Sequence, residues 1–338
     1  MDRTFAISTQ LIPEFWGTGL LGPLFLTALL VGLAVEEAHA QNYPPLRQIA
    51  PQTAVGAKSV HAADLDGDSD PDVLYATSHT VTWHENTESG FSEQKIITHN
   101  VAGARSVHTA DLNGDGDLDV LSASFYDAKI AWYENQLGEG GGFSSPKVIS
   151  TNAGQAQSVF AADLDGDGDS DVLSASQSDN KVAWYENKLD EGKGFSNQKV
   201  ISTNANEAQD VYATDLDGDG APDVLSASRS DDKIAWYENQ LEEGGGFSNQ
   251  RVVSTNAGGA ESVFAADLDG DGNPDVLSAS GGDDKVAWYE NQLGQEGGFS
   301  DQRVISTNMN QAQSVFTADL DGDGDPDVLS ASSSLSEN

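Results

Sequence analysis

The chain has 338 residues, 55 acidic against 16 basic side chains, a net charge of -39, 35 glycines and no cysteine. That length supports a large core, and the charge excludes nucleic acid and anionic lipid as partners because both require basic patches. Without cysteine there is no disulfide scaffold, thiolate zinc site or cysteine nucleophile, so packing or bound metal must hold the fold.

Residues 19–35 (GLLGPLFLTALLVGLAV) form an uncharged apolar run, followed by Glu36, Glu37 and Ala38-His39-Ala40, a small-x-small cleavage pattern. The expectation is a signal peptide over 1–40, cleaved before Gln41, leaving a folded domain over 41–338 with no membrane insertion. An uncleaved anchor is the alternative, because Arg3 in the leading segment is offset by Asp2 and Glu14. Cleavage leaves 15 basic and 51 acidic residues, net -36.

From there one acidic phrase recurs, starting at Asp64, Asp111, Asp163, Asp215, Asp267 and Asp319; the first interval is 47 residues and the next four are 52. Each period reads SVFAADLDGDGDxDVLSAS, then DxKVAWYENQ, then GGFSxxxVISTNA. These are four strand-length alternating runs separated by Asp/Gly, Ser/Asp/Asn, Gly/Glu and Thr/Asn turn clusters, with no helical spacing. The fold expected is all-β: a β-propeller of about six four-stranded blades that bury their faces against one another. Trp83, Trp132, Trp184, Trp236 and Trp288 recur mid-strand and read as blade-to-blade core, as do Phe91, Phe143, Phe195, Phe247 and Phe299. Tyr133, Tyr185, Tyr237 and Tyr289 point the other way, either packed or partly exposed.

The ends are uneven. Residues 44–54 (PPLRQIAPQTA) read as a final strand with no preceding blade, and the sixth repeat stops after DVLSAS. The last blade is therefore incomplete, and the N-terminal strand is expected to close it, since open rings expose strand edges; either closure is imperfect or the chain is cut short.

Each period carries the frame D-x-D-G-D-G-x-x-D. Alternate side chains of so tight a loop turn toward one centre, which suits a hard dication with six or more oxygen ligands, and calcium is expected at up to six such sites. The candidate ligands are, at position 1, Asp64, Asp111, Asp163, Asp215, Asp267 and Asp319; at position 3, Asp66, Asn113, Asp165, Asp217, Asp269 and Asp321. At position 5 stand Asp68, Asp115, Asp167, Asp219, Asp271 and Asp323, and at position 9 Asp72, Asp119, Asp171, Asp223, Asp275 and Asp327. Position 7 holds Asp70, Asp117, Asp169, Ala221, Asn273 and Asp325; alanine is acceptable there if the main-chain oxygen binds. Ser69 replaces a position-6 glycine and is expected to strain the first loop. The loops are not EF-hands, since position 12 is Tyr75 or a serine such as Ser122, and not phosphate cradles, since four carboxylates would repel phosphate.

The phrase followed by a Gly-Phe dipeptide resembles the FG-GAP/VCBS repeat of integrin α-chain-like β-propellers over about residues 44–332. The resemblance implies calcium in the loop between the first and second strand of each blade, at Asp64, Asp66, Asp68, Asp72 and their counterparts. It also implies either an adhesion or recognition module or a calcium-dependent polysaccharide lyase.

Strand order places all acidic loops on one face. The opposite face carries connections that differ between repeats: Phe125-Tyr126-Asp127, Gln177-Ser178-Asp179, Arg229-Ser230-Asp231 and Gly281-Gly282-Asp283. No G-x-S-x-G or H-E-x-x-H motif occurs. The recurrent Glu134, Glu186, Glu238 and Glu290, like Lys129, Lys181, Lys233 and Lys285, read as blade structure, since one per repeat is no unique active site. The functional expectation is a secreted or cell-surface, monomeric, calcium-binding module that recognises an extracellular protein or glycan; the alternative is a calcium-dependent polysaccharide-degrading enzyme.

Overall fold

The computed structural model describes residues 56–242, 244–294 and 297–333, together with the strand pairing of 4–9 and 31–34. No helix occurs among them, and six four-stranded sheets follow one another. In the third sheet Ala156–Ala162, Asp171–Ser176, Lys181–Tyr185 and Lys199–Ser202 pair antiparallel in chain order. The innermost strands pack on one another in succession, from Ala57–Ala63 to Ala312–Ala318, which is the arrangement of propeller blades.

Interdigitation of blade faces explains the repeated residues. Both faces of the second strand are covered, so DVLSAS is buried throughout in four blades, and its small serines admit the neighbouring sheet. Tyr133, Tyr185, Tyr237 and Tyr289 are fully buried, and each phenol hydrogen-bonds a second-strand serine, as Tyr185 Oη does Ser174 Oγ at 3.3 Å. Trp184 packs with Leu173, Ala175 and Val182 against Ala208, Val211, Val224 and Tyr237 of the next blade, and meets Phe247 edge-on at 6.2 Å. Burying side chains of this size contributes roughly 1.5–3 kcal/mol each.

The recurrent Glu and the basic residue of the outer strand complete the same unit. Lys199 Nζ lies 4.1 Å over the Trp184 ring and 2.6 Å from Glu186 Oε2; Lys147 does the same with Trp132 and Glu134, and Arg251 with Trp236 and Glu238. Lys129, Lys181, Lys233 and Lys285 pair with Asp127, Asp179, Asp231 and Asp283. Both series are therefore braces within a blade.

The sixth sheet differs. Its own strands are Ala312–Ala318 and Asp327–Ser332, and the remaining places are taken by Thr4–Thr9, parallel to Asp327–Ser332, and Val31–Ala34. An N-terminal segment does complete the last blade, but it comes from within the first 34 residues; residues 44–54, expected in that role, lie outside the described residues. The faces at the two ends of the succession are also less covered. Val60 is 69% exposed, whereas its counterparts Val107, Val159, Val211, Val263 and Val315 are 2–4% exposed. At the other end Leu329 and Ala331 are half-buried where the inner blades bury their equivalents. Trp288 is likewise half-buried, since the sixth repeat brings no phenylalanine against it. Among the described residues, the sixth and first blades are not joined as the other five neighbours are.

Candidate metal centres

Each acidic loop links the first and second strand of its blade, and backbone amides fold it around position 1. In the third loop Gly166 N donates to Asp163 Oδ1 (2.8 Å) and Gly168 N to Asp163 Oδ2 (3.0 Å). The same pair of bonds recurs at Asp64, Asp111, Asp215, Asp267 and Asp319. Position 6 must be left-handed to aim its N–H inward: Gly168 has φ 97°, and Ser69 is forced to 74°, the strain expected from the sequence.

Position 5 accepts the N–H of position 7 in all six loops, at 2.8–3.0 Å. Asp70, Asp117, Asp169, Ala221, Asn273 and Asp325 thus serve the turn through their backbone, and none of their side chains joins the carboxylate clusters. Position 9 is buried in every loop and, in the first five, clamped by two amides: Asp171 Oδ2 accepts Leu164 N (3.2 Å) and Oδ1 accepts Asn187 N (2.7 Å).

At position 3 the Oδ1 of Asn113, Asp217, Asp269 and Asp321 accepts the N–H of position 5 at 3.1–3.3 Å, and two loops differ. Asp66 Oδ1 and Asp165 Oδ1 are buried without a hydrogen-bond partner. Asp66 converges with Asp64 and Asp72, and Asp165 with Asp163 and Asp167, oxygens within 4.8 Å of one another. Asp217 clusters with Asp215 and Asp223, Asp269 with Asp267 and Asp271, and Asp321 with Asp319 and Asp327. The second loop forms no such trio of acids: Asn113 stands at position 3, and its Nδ2 donates to Asp115 Oδ2 at 2.9 Å.

Burial, reinforced by the neighbouring carboxylates, raises Asp66, Asp165 and Asp217 above the usual carboxylate range. Burial outweighs two amide hydrogen bonds at position 9, where Asp119, Asp171 and Asp223 are pushed up to about 7 and Asp275 to about 6. A buried carboxylate oxygen without a hydrogen-bond partner, gathered with oxygens of two more acids, fits a hard divalent cation of the calcium type.

A repeated asparagine, which the sequence reading passed over, ties these loops together. Asn135, Asn187, Asn239 and Asn291 each donate Nδ2 to a leucine carbonyl in the acidic loop of the preceding blade, at 2.7–2.8 Å, and to a carbonyl of their own loop at 3.0 Å. Its signal was in the text all along, as the invariant N of the repeated YEN. Equally unremarked were the inner strands, where His61, His108, Phe160, Tyr212, Phe264 and Phe316 form a chain of ring contacts at 4.5–4.9 Å from blade to blade.

A family model described as FG-GAP-like repeat matches five overlapping stretches, 64–122, 111–174, 163–226, 215–278 and 267–330. The chain belongs to the FG-GAP-like repeat family. Among solved structures, an Agrocybe aegerita lectin, described as specifically recognising non-reducing terminal N-acetylglucosamine, superposes with TM-score 0.56 and 20% identity over 82% of this chain and 75% of its own. The biofilm matrix protein Bap1 of V. cholerae matches at TM-score 0.47 and 17% identity, over 81% of this chain and 43% of that one. An auxiliary nutrient binding protein of Bacteroides ovatus matches at 0.47 and 13%, over 77% and 64%. No curated protein sequence matches the chain significantly. These likenesses concern the fold.

Proposed function

We propose that this FG-GAP-like propeller is a secreted recognition module, stabilised by calcium on one face and binding an extracellular glycan or protein through the other. The observation that carries the metal reading is the buried, unpartnered Oδ1 of Asp66 and of Asp165 among converging carboxylates. Positions 1, 3, 5 and 9 would hold the ion, whose charge offsets the mutual repulsion of the acids; because the ligand set assembles only in the folded chain, ion binding adds to folding free energy. A recognition role agrees with a fold shared with a lectin, and with recurrent Glu and Lys residues engaged in blade braces rather than converging on one catalytic point.

Export accords with the leader pattern and with an acid-rich surface suited to a calcium-rich compartment. No helix of the described residues is long and apolar enough to cross a membrane. Cleavage before Gln41 would remove both Thr4–Thr9 and Val31–Ala34 from the sixth sheet, so N-terminal sequencing of the exported protein decides whether they stay.

Calcium titration by calorimetry, with melting curves in calcium and in chelator, tests the metal reading. Saturable binding at up to six sites with a raised melting temperature is expected; absence of binding heat together with an unchanged melting curve would overturn it. At calcium a hundredfold above Kd each independent site adds about 2.7 kcal/mol.

A further inference from the structure

We propose that the second blade presents Tyr126 as a fixed stacking platform for one ring of a neutral sugar, on the face away from the acidic loops. The proposal rests on the recognition reading above and assigns it a place and a ligand class.

The connection holding Tyr126 is bound to the one entering the blade: Phe125 N donates to Gly103 O (2.9 Å) and Tyr126 N to Ala102 O (2.8 Å). Tyr126 is 74% exposed, whereas the same position holds Ser178, Ser230 and Gly282 in the next three blades. An isolated exposed aromatic needs no explanation. Here, however, several neighbours depart from the repeat together.

Gly103 occupies a left-handed position (φ 73°) that is glycine also in the first and fifth blades, at Gly56 and Gly259, and Gln155, Glu207 or Gln311 in the others. A Cβ there would lie 2.6 Å from Tyr126 Cδ2 and 2.8 Å from Cε2. Glycine is therefore what lets the phenol ring lie against the backbone. Phe125 buttresses it edge-on at 5.1 Å and 86°, and the Arg105 guanidinium sits 4.7 Å over Phe125, replacing the glutamine of Gln157, Gln209 and Gln313. Lys129 fixes the rim through Asp127 (2.9 Å) and the Asn100 carbonyl (3.0 Å).

The result is an aromatic face open to solvent and supported from below by Gly103 and Phe125, a placement that favours binding through pre-organisation. Its size selects the partner. One exposed ring rimmed by Arg105, Asp127 and Asn100 falls far short of the roughly 800 Å² per side that a stable protein interface buries. It matches the apolar C–H face of a pyranose, whose hydroxyls would meet the polar rim and the phenol hydroxyl. The net charge of -39 disfavours an anionic sugar.

The test is a neutral-oligosaccharide array (glucans, mannans, galactans, chitooligosaccharides) probed in calcium buffer with the full chain and three variants. Tyr126→Ala should lose about tenfold or more in affinity, and Tyr126→Phe should stay within about threefold, since stacking survives. Gly103→Gln installs the side chain other blades tolerate at this backbone position; it should displace the ring and lose binding, with a melting temperature lowered by only a few degrees, the cost of one left-handed side chain. Array binding that Tyr126→Ala leaves intact would overturn the platform while leaving glycan recognition standing elsewhere on the propeller. Failure of the unmodified chain to bind any neutral glycan would overturn the platform and confine recognition to proteins.

Discussion

Asn187 Nδ2 lies 2.8 Å from the carbonyl oxygen of Leu112, 75 residues earlier, and joins the third blade to the acidic loop of the second. The same side chain holds Ser170 O of its own loop (3.0 Å), and its backbone N–H holds Asp171 Oδ1 (2.7 Å), so one buried asparagine fixes two neighbouring loops.

Asn187→Ala leaves buried carbonyls unpaired and should cost about 2–3 kcal/mol of stability. It should also weaken calcium binding in the second loop as well as the third. Urea unfolding with and without calcium checks both; a loss confined to one blade's site would refute the bridging role.

Ser69→Gly should stabilise the protein by about 1 kcal/mol, because it relieves a left-handed serine without disturbing its N–H bond to Asp64 Oδ2 at 2.9 Å. A denaturant midpoint that rises at constant slope is the expected readout.

The pH dependence should change sign with calcium. In the ion-free protein Asp119, Asp171 and Asp223 titrate near 7 and Asp275 near 6, above the ordinary value of 3.8, so the folded state holds protons the unfolded state has released. Stability is then greatest below about pH 4 and falls as pH rises through 6 to 7, by up to about 1.4 kcal/mol per pH unit for each titrating group. Saturating calcium needs these carboxylates ionised, so it should make stability rise over the same range. Melting temperatures from pH 4 to 8 with and without calcium check the reversal.

Val159→Ala should cost about 1–2 kcal/mol, since Val159 is buried against the second blade, whereas Val60→Ala should change stability by less than about 0.5 kcal/mol. Equal costs at the two positions would mean that the first blade's free face is covered in solution.

The alternating runs, their four-per-period order and the 52-residue spacing made the blades legible, because strand formation and turn chemistry act within a few residues. The position-1, -3, -5 and -9 carboxylates were legible for the same reason, as each loop closes on itself within nine residues. The asparagine bridges were not, although the repeated YEN displayed them: the partner carbonyl is 70–75 residues away, and nothing local says that the side chain turns backwards across a blade boundary. The tyrosines that follow the tryptophans stayed ambiguous because alternation assigns a face but does not say whether the next blade covers it.

Sequence alone therefore determined the repeating unit, its all-β character and the chemistry of its loops, all set by short-range conformational preference and charge. Tertiary structure alone decided which faces meet, that Val60 is left open where Val159 is sealed, that Thr4–Thr9 and Val31–Ala34 complete the last sheet, and that Tyr126 lies on Gly103. Those outcomes depend on contacts between segments tens to hundreds of residues apart, whose geometry exists only once the blades have stacked.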